Sequence, residues 1–261
     1  MLAALAAVVA AYAWFEAGWV RLRVREVVLP GLPRELDGLR IAHLSDFHLG
    51  VPSRGRRAVE RAVDWVAERQ PDLVAITGDL LSRARGEAEL LALLAKLAHP
   101  YVVLGNHDYA ISRDPFSRPV ELGRLDDGTM LLDNAEVVEI RGKRIEVAGV
   151  DPRSWLLKKR SDFDDPHADL RILLCHFPRA LDTVPAGRWD LILAGHLHSG
   201  QIVLPYGFGK LLLAHPGARY PEGIFERAGT TMHVSPGLGT TFVPFRFFAR
   251  PEATELVLRS K

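Results

Sequence analysis

Leu39-Arg40-Ile41-Ala42-His43-Leu44-Ser45-Asp46-Phe47-His48 is an apolar run that ends in residues able to hold a metal ion. The same arrangement recurs down the chain. Leu73-Val74-Ala75-Ile76 leads into Thr77-Gly78-Asp79, and Tyr101-Val102-Val103-Leu104 into Gly105-Asn106-His107-Asp108. Ile172-Leu173-Leu174 leads into Cys175-His176, and Leu191-Ile192-Leu193-Ala194 into Gly195-His196-Leu197-His198. Strand ends that present polar groups along one edge of a sheet make a catalytic rim.

Working outward, residues 39–104 alternate strand-like runs with two amphipathic stretches, Arg57 to Arg69 and Glu87 to Ala98, an order that predicts parallel βαβ units. The rhythm then changes. Short β-like runs at 130–140, 143–150, 170–175, 189–194, 201–205, 210–214, 230–235 and 253–258 leave little room for crossover helices, so mixed or antiparallel pairing is expected. Missing from the chain are internal repeats and, outside the Ala-rich N-terminus, low-complexity tracts.

The donors define the chemistry. Asp46, His48, Asp79, Asn106, His176, His196 and His198 exceed the needs of one tetrahedral ion and suit two ions sharing a carboxylate. Mixed imidazole and oxygen ligation without thiolate favours Mn, Fe or Zn, whereas Ca would want an all-oxygen cage. A lone Asp or His at a strand end is usually a cap or a surface hydrogen-bonder; the ordered conjunction reverses that reading. His43, His99, His167, His215 and His233 lie outside the five segments and read as structural or solvated, and Cys175 as a small core residue.

Asp46-x-His48, Gly78-Asp79, Gly105-Asn106-His107-Asp108, the single His176 and Gly195-His196-x-His198 resemble, in order, the motifs of the calcineurin-like metallophosphoesterases. Val234-Ser235-Pro236-Gly237-Leu238-Gly239 and Arg246-Phe247-Phe248-Ala249-Arg250-Pro251-Glu252 resemble the closing segment of the bacterial membrane-associated phosphodiesterase branch. The resemblance implies an α/β fold, a two-sheet mixed β-sandwich flanked by helices. It assigns Asp46, His48 and His198 to one divalent ion, Asn106, His176 and His196 to a second, and Asp79 to the bridge. It further implies hydrolysis of a phosphoester by a hydroxide bound at the dinuclear site, with His107 at the leaving oxygen. Related bacterial members often carry Gly-His-Thr-His-Gly-Gly-Gln, where this chain has Leu197 and Ser199; that departure bears on loop shape and substrate fit.

Composition agrees. The chain has 261 residues, 48% hydrophobic and 25% charged, which fits one large α/β domain. A formal net charge of +1 provides no bulk field for nucleic acid, and nothing in the sequence identifies a protein partner. The single cysteine excludes an internal disulfide.

From Leu2 to Val20 the chain is apolar apart from Glu16, close to the ~20 residues that cross a bilayer. Residues 1–22 are therefore expected to form a single-pass transmembrane helix, with Glu16 at headgroup level beside Trp14 and Trp19, and 23–261 the phosphoesterase domain. A signal peptide and a core helix are the rivals; the former lacks a basic n-region. Arg21, Arg23 and Arg25 after the apolar stretch place the domain on the cytoplasmic face, against exported relatives of the branch.

Two regions are candidates for shaping the substrate. Arg54, Arg56 and Arg57 could clamp a phosphate or simply open a helix. Trp155-Leu156-Leu157 with Lys158-Lys159-Arg160, joined in space by Phe242, Phe245, Phe247 and Phe248, could meet an anionic membrane surface or pack at a sheet edge. The expected substrate is a phosphodiester or diphosphate, extending to a membrane lipid or nucleotide-lipid such as those cleaved by UDP-diacylglucosamine pyrophosphohydrolases. The alternatives are a phosphodiesterase acting on soluble nucleotides or small phosphoesters, and a non-catalytic binding protein of the same fold.

Overall fold

Near-continuous apolar runs such as Ile172-Leu173-Leu174 have no face to show water, so they form strands covered on both sides. The computed structural model describes residues 1–119, 125, 127–157, 165–207 and 209–261. Lys158, Lys159 and Arg160 lie outside them. The chain runs α1 (Leu2–Glu16), β1 (Arg21–Leu29), β2 (Arg40–Leu44), α2 (Gly55–Arg69), β3 (Leu73–Thr77), α3 (Glu87–Leu94), β4 (Tyr101–Val103), β5 (Thr129–Met130), β6 (Asn134–Ile140) and β7 (Lys143–Val150). It continues through α4 (Pro152–Leu156), β8 (Leu170–Cys175), α5 (Ala180–Thr183), β9 (Leu191–Ala194), β10 (Val203–Tyr206), β11 (Gly209–Leu212), β12 (Gly223–Arg227), β13 (Thr230–Val234) and β14 (Glu252–Ser260).

Two six-stranded sheets result, in the orders β1-β14-β2-β3-β4-β5 and β12-β13-β9-β8-β7-β6. The expected two-sheet mixed α/β architecture holds. Alternate residues of each strand serve different cores. Ile172, Leu174, Leu191 and Leu193 face Ile41, Val103 and Leu256 between the sheets, while Leu173, Cys175 and Ile192 pack with Leu181, Trp189 and Tyr220 on the outer side. On α2, Ala58, Val59, Ala62, Val63 and Val66 fall on one helical stripe and cover the other outer face with α3.

The second half forms a mixed sheet, as expected, though with more parallel pairs than its short connections suggest. β7, β8, β9 and β13 pair in parallel, with only β6 and β12 antiparallel at the edges. The crossovers fit because their helices are short, Pro152–Leu156 and Ala180–Thr183. β12 went unpredicted, since Gly223–Arg227 mixes Glu and Arg into a short segment at an edge.

The N-terminus needs a correction. Helix α1 has 15 residues, about 22 Å at 1.5 Å per residue, and no helix among the described residues is long and apolar enough to cross a membrane. Its two ends differ. Leu2, Leu5, Val8 and Val9 are exposed, whereas Ala13, Glu16 and Ala17 are buried against the domain. Glu16 therefore sits at no headgroup level; its Oε1 accepts from the Ala249 amide at 2.6 Å. Arg21, Arg23 and Arg25 are no free basic flank either, because all three converge on buried Glu252 at 3.9, 3.0 and 3.2 Å. The phenylalanines also find other neighbours. Phe247 and Phe248 pack on Tyr12, and Phe245 on Trp14, while Trp155 stacks on Phe177.

Candidate metal centre

β2, β3 and β4 of one sheet and β8 and β9 of the other end at the same rim, so segments far apart in sequence meet there. Several residues at these ends adopt left-handed backbone: Asp46 (φ 56°), His48 (49°), Asp79 (54°), His196 (79°) and His198 (50°). Such conformations are unfavourable for residues with a Cβ and cluster where function over-determines the geometry. Two glycines make the close approach possible. A Cβ on Gly105 would collide with the Asp79 carboxylate, and one on Gly195 with the Ser45 hydroxyl and Asp46 carboxylate.

Donor atoms of Asp46, His48, Asp79 and His198 lie within 4.8 Å of one another, as do those of Asp79, His176 and His196. Asp79 belongs to both groups. Its Oδ2 is buried without a hydrogen-bond partner and faces His176 Nε2 at 3.2 Å and His48 Nε2 at 3.5 Å. Imidazole nitrogens also face one another: His48 and His198 Nε2 at 3.1 Å, and His196 Nδ1 and His176 Nε2 at 3.1 Å. Asn106 Oδ1 joins the second group, 3.0 Å from His176 Nε2. A buried orphan oxygen ringed by inward imidazole nitrogens is a donor set that fits divalent cations.

The outward nitrogens are held as well. His48 Nδ1 meets Ser82 Oγ at 3.1 Å, His176 Nδ1 the Thr77 carbonyl at 2.8 Å, and His198 Nδ1 the Arg246 guanidinium at 3.1 Å. Such partners fix ring orientation. Burial first of all keeps His48 and His198 well below the usual imidazole range and pushes His196 to about 3, so these rings are uncharged at neutral pH. Burial alone would raise Asp79, but the surrounding histidines outweigh it and hold that carboxyl well below its ordinary value. Burial lifts Asp46 to about 6.

His107 belongs to neither group. Its ring packs edge-on against His48 at 4.7 Å, its amide donates to Asp79 Oδ1 at 2.8 Å, and its Nδ1 lies 3.9 Å from Asp114 Oδ2. Sequence reading missed Asp114, whose carboxylate also accepts from the amides of Phe116 and Phe242. It missed the role of Asp108 too. That buried carboxylate takes the amides of Leu80, Leu81 and Gly105 at 2.8 to 2.9 Å and clips the Asp79 and Asn106 loops together. Its place inside Gly105-Asn106-His107-Asp108 was the available signal. His43 and His233 are a buried pair, Nδ1 to Nδ1 2.7 Å, that ties the two sheets together beneath the rim.

Two cavities flank the cluster. One of about 1280 Å³ reaches His196 and is walled by Trp155, Phe177, Trp189, Tyr220 and His215. A cleft of about 350 Å³ reaches His48 and includes Arg56 and Arg85. Arg56 also pairs with Glu60 and Glu89. Arg57 is exposed and Arg54 lies over the Phe15 ring, so these two read as a basic helix start.

The sequence pattern of calcineurin-like phosphoesterases matches residues 39–200. A Danio rerio protein named transmembrane protein with metallophosphoesterase domain is 33% identical over 259 residues, covering 90% of this chain and 56% of that protein, so the chain spans little more than half of it. The Bacillus subtilis protein named uncharacterized metallophosphoesterase YkoQ is 30% identical, with 86% of this chain and 84% of that one covered. Phosphodiesterase YaeI of Escherichia coli is 25% identical, with 84% and 82% covered. Similarity of this extent, over the stretch that builds the rim of carboxylates and imidazoles, makes the chain a member of the calcineurin-like phosphoesterase family, and with that membership divalent metal ions are implied at this cluster.

Proposed function

We propose that this chain is a dinuclear metal-dependent phosphodiesterase, related to the bacterial membrane-associated branch, acting on a phosphodiester or diphosphate that carries an apolar group. The observation that carries this reading is the position of Asp79, common to two donor groups. Asp46, His48 and His198 would hold one ion, Asn106, His176 and His196 the other, and Asp79 would bridge them, with Mn, Fe or Zn suiting the donor set. Bound ions supply a water made nucleophilic at neutral pH and positive charge against the phosphoryl oxygens.

The remaining work falls to the chain. His107, held from its Nδ1 side by Asp114 and Ser112, has Nε2 left to give a proton to the leaving oxygen. The aromatic cavity beside His196 would seat the apolar group. Leu2, Leu5, Val8 and Val9, apolar and exposed on α1, would dip into a membrane and bring the domain to its substrate. The Trp155 and Phe177 rings, 6.3 Å apart and inclined at 28°, favour a second reading in which a nucleotide base stacks in the same cavity.

Metal-loaded protein is assayed against p-nitrophenyl phosphate, bis(p-nitrophenyl) phosphate, a nucleotide diester and a lipid diphosphate in vesicles. Turnover of diesters or diphosphates above the monoester is expected, and the reverse order overturns the reading. Gln at positions 2, 5, 8 and 9 together should abolish vesicle binding and leave the soluble diester rate unchanged. Truncation is the poorer test, since it also removes buried Ala13 and Glu16.

A further inference from the structure

Arg246 is completely buried, and among the described residues its guanidinium forms no ion pair. A buried cation normally answers a carboxylate. This one answers backbone carbonyls and one imidazole. Its Nε donates to Gly239 O at 2.9 Å, and its Nη1 to Pro236 O at 3.0 Å, Ala249 O at 2.9 Å and His198 O at 3.4 Å. Nη2 meets His198 Nδ1 at 3.1 Å. On the far side of that ring, Nε2 lies 3.4 Å from Asp46 Oδ1 and 3.1 Å from His48 Nε2. A guanidinium has donors only, so the imidazole nitrogen facing it must accept. The neutral ring then carries its proton on Nε2, toward Asp46, and an ion there would have to displace that proton to solvent, leaving a ring charge that the guanidinium stabilises. The five-donor fork fixes both the ring and the backbone that carries it.

The same arginine is tied in the opposite direction to the N-terminal helix. Its amide donates to Ala13 O at 3.1 Å. Three residues on, the Ala249 amide donates to the buried Glu16 carboxylate. Helix α1 thus grips both ends of the segment 246–249, whose first residue is the cation facing His198.

We propose that Arg246 is a positioning residue for the metal centre, holding the His198 imidazole, and that α1 holds Arg246 in turn, so that the seating of α1 is felt at one of the two ion positions. This rests on the metal-centre reading above. Arginine suits the task better than lysine because the fork spans four carbonyls and an imidazole at once, which a single ammonium cannot do.

Cobalt(II) is the probe, added to metal-free full-length protein and followed by calorimetry and visible absorption. R246K keeps the buried charge; its fold is checked by circular dichroism. The expected result is that one of two cobalt equivalents binds about 10- to 100-fold more weakly, the usual weight of a ligand's outer partner, with a shifted absorption band, while the other equivalent is unchanged. E16A should weaken the same equivalent by a smaller factor than R246K. R246K indistinguishable from wild type in both readouts overturns the proposal. Changed R246K with unchanged E16A overturns the α1 link alone. Wild type that binds no cobalt refutes the metal reading itself and this inference with it.

Discussion

The two halves of the candidate metal centre are built from the same donor types and differ in what surrounds them. Around Asp46, His48 and His198 everything is buried, and the outer nitrogens rest on Ser82 and Arg246. Around His176 and His196 one residue is only partly buried and lines the large aromatic cavity. Under the proposed function the difference is a division of labour: one half is enclosed by the core, and the other borders the cavity that would seat the substrate's apolar group. His107, edge-on to His48, sits on the rigid side, away from the cavity wall.

The largest effect should come from the residue that belongs to both halves. Asp79→Asn removes the shared charge and is expected to empty both ion positions together, with turnover lost. If metal content measured by plasma emission stayed at wild-type level, the two groups would be independent sites. Next in size, His107→Ala should keep both ions yet lower the rate roughly 10²- to 10⁴-fold, the weight of a general acid. That loss should shrink with p-nitrophenyl esters, whose leaving group needs no proton; an equal loss for poor and good leaving groups removes the acid role.

The places of the donors along the chain were legible, and the reason is local; their division between two ions came from the family resemblance alone. Each donor follows directly on an apolar run that had to be a strand, so Asp46, Asp79, Asn106, His176, His196 and His198 could be placed at strand ends without knowing which strands were neighbours. What was illegible depends on distant partners. Nothing near Arg246 announces that its guanidinium will meet a ring 48 positions earlier. Nor could α1 be read correctly. A nearly all-apolar stretch looks the same whether it enters lipid or docks, and only the burial of Ala13 and Glu16, beside the exposure of Leu2 to Val9, shows that its C-terminal end docks on the domain. A mixed second sheet was legible, but which of its pairs run parallel was hidden by crossovers too short to carry a helical period.

The halves should also part company with pH, because an ion must displace whatever proton its ligands hold. In the rigid half the group that holds one is Asp46, pushed up to about 6 by burial. In the open half it is His176: burial opposes its charge, but Asp79 at 3.2 Å and Asp46 outweigh burial and lift it to about 9. The sign is the same for both, affinity rising with pH, but the windows differ. The rigid half should gain affinity most steeply below about pH 6, where Asp46 gives up its proton, whereas the open half should go on gaining steeply to about pH 9. Zinc or manganese titrations at pH 5, 7 and 9 separate them, and a chelator at pH 7 should strip one ion well before the other. Parallel pH curves for the two ions would erase the distinction.

The smallest effect probes what makes the rigid half rigid. His48 presents Nε2 to the cluster because its Nδ1 is held by Ser82 Oγ at 3.1 Å, and Ser82 is itself buried on the loop after Asp79. Ser82→Ala removes one hydroxyl and leaves a small void, so the fold should survive with a loss of about 1 kcal/mol. With its anchor gone, the His48 ring can rotate away from the ion, and affinity at that position should fall by about tenfold, the lower end for loss of a ligand's outer partner. The open half has no contact with Ser82 and should bind as before. Equal weakening at both positions would mean that the loss travels through Asp79 and that the two halves are one mechanical unit; no weakening at either would assign the orientation of His48 to strand-end backbone alone, where its φ of 49° already fixes the direction of the side chain.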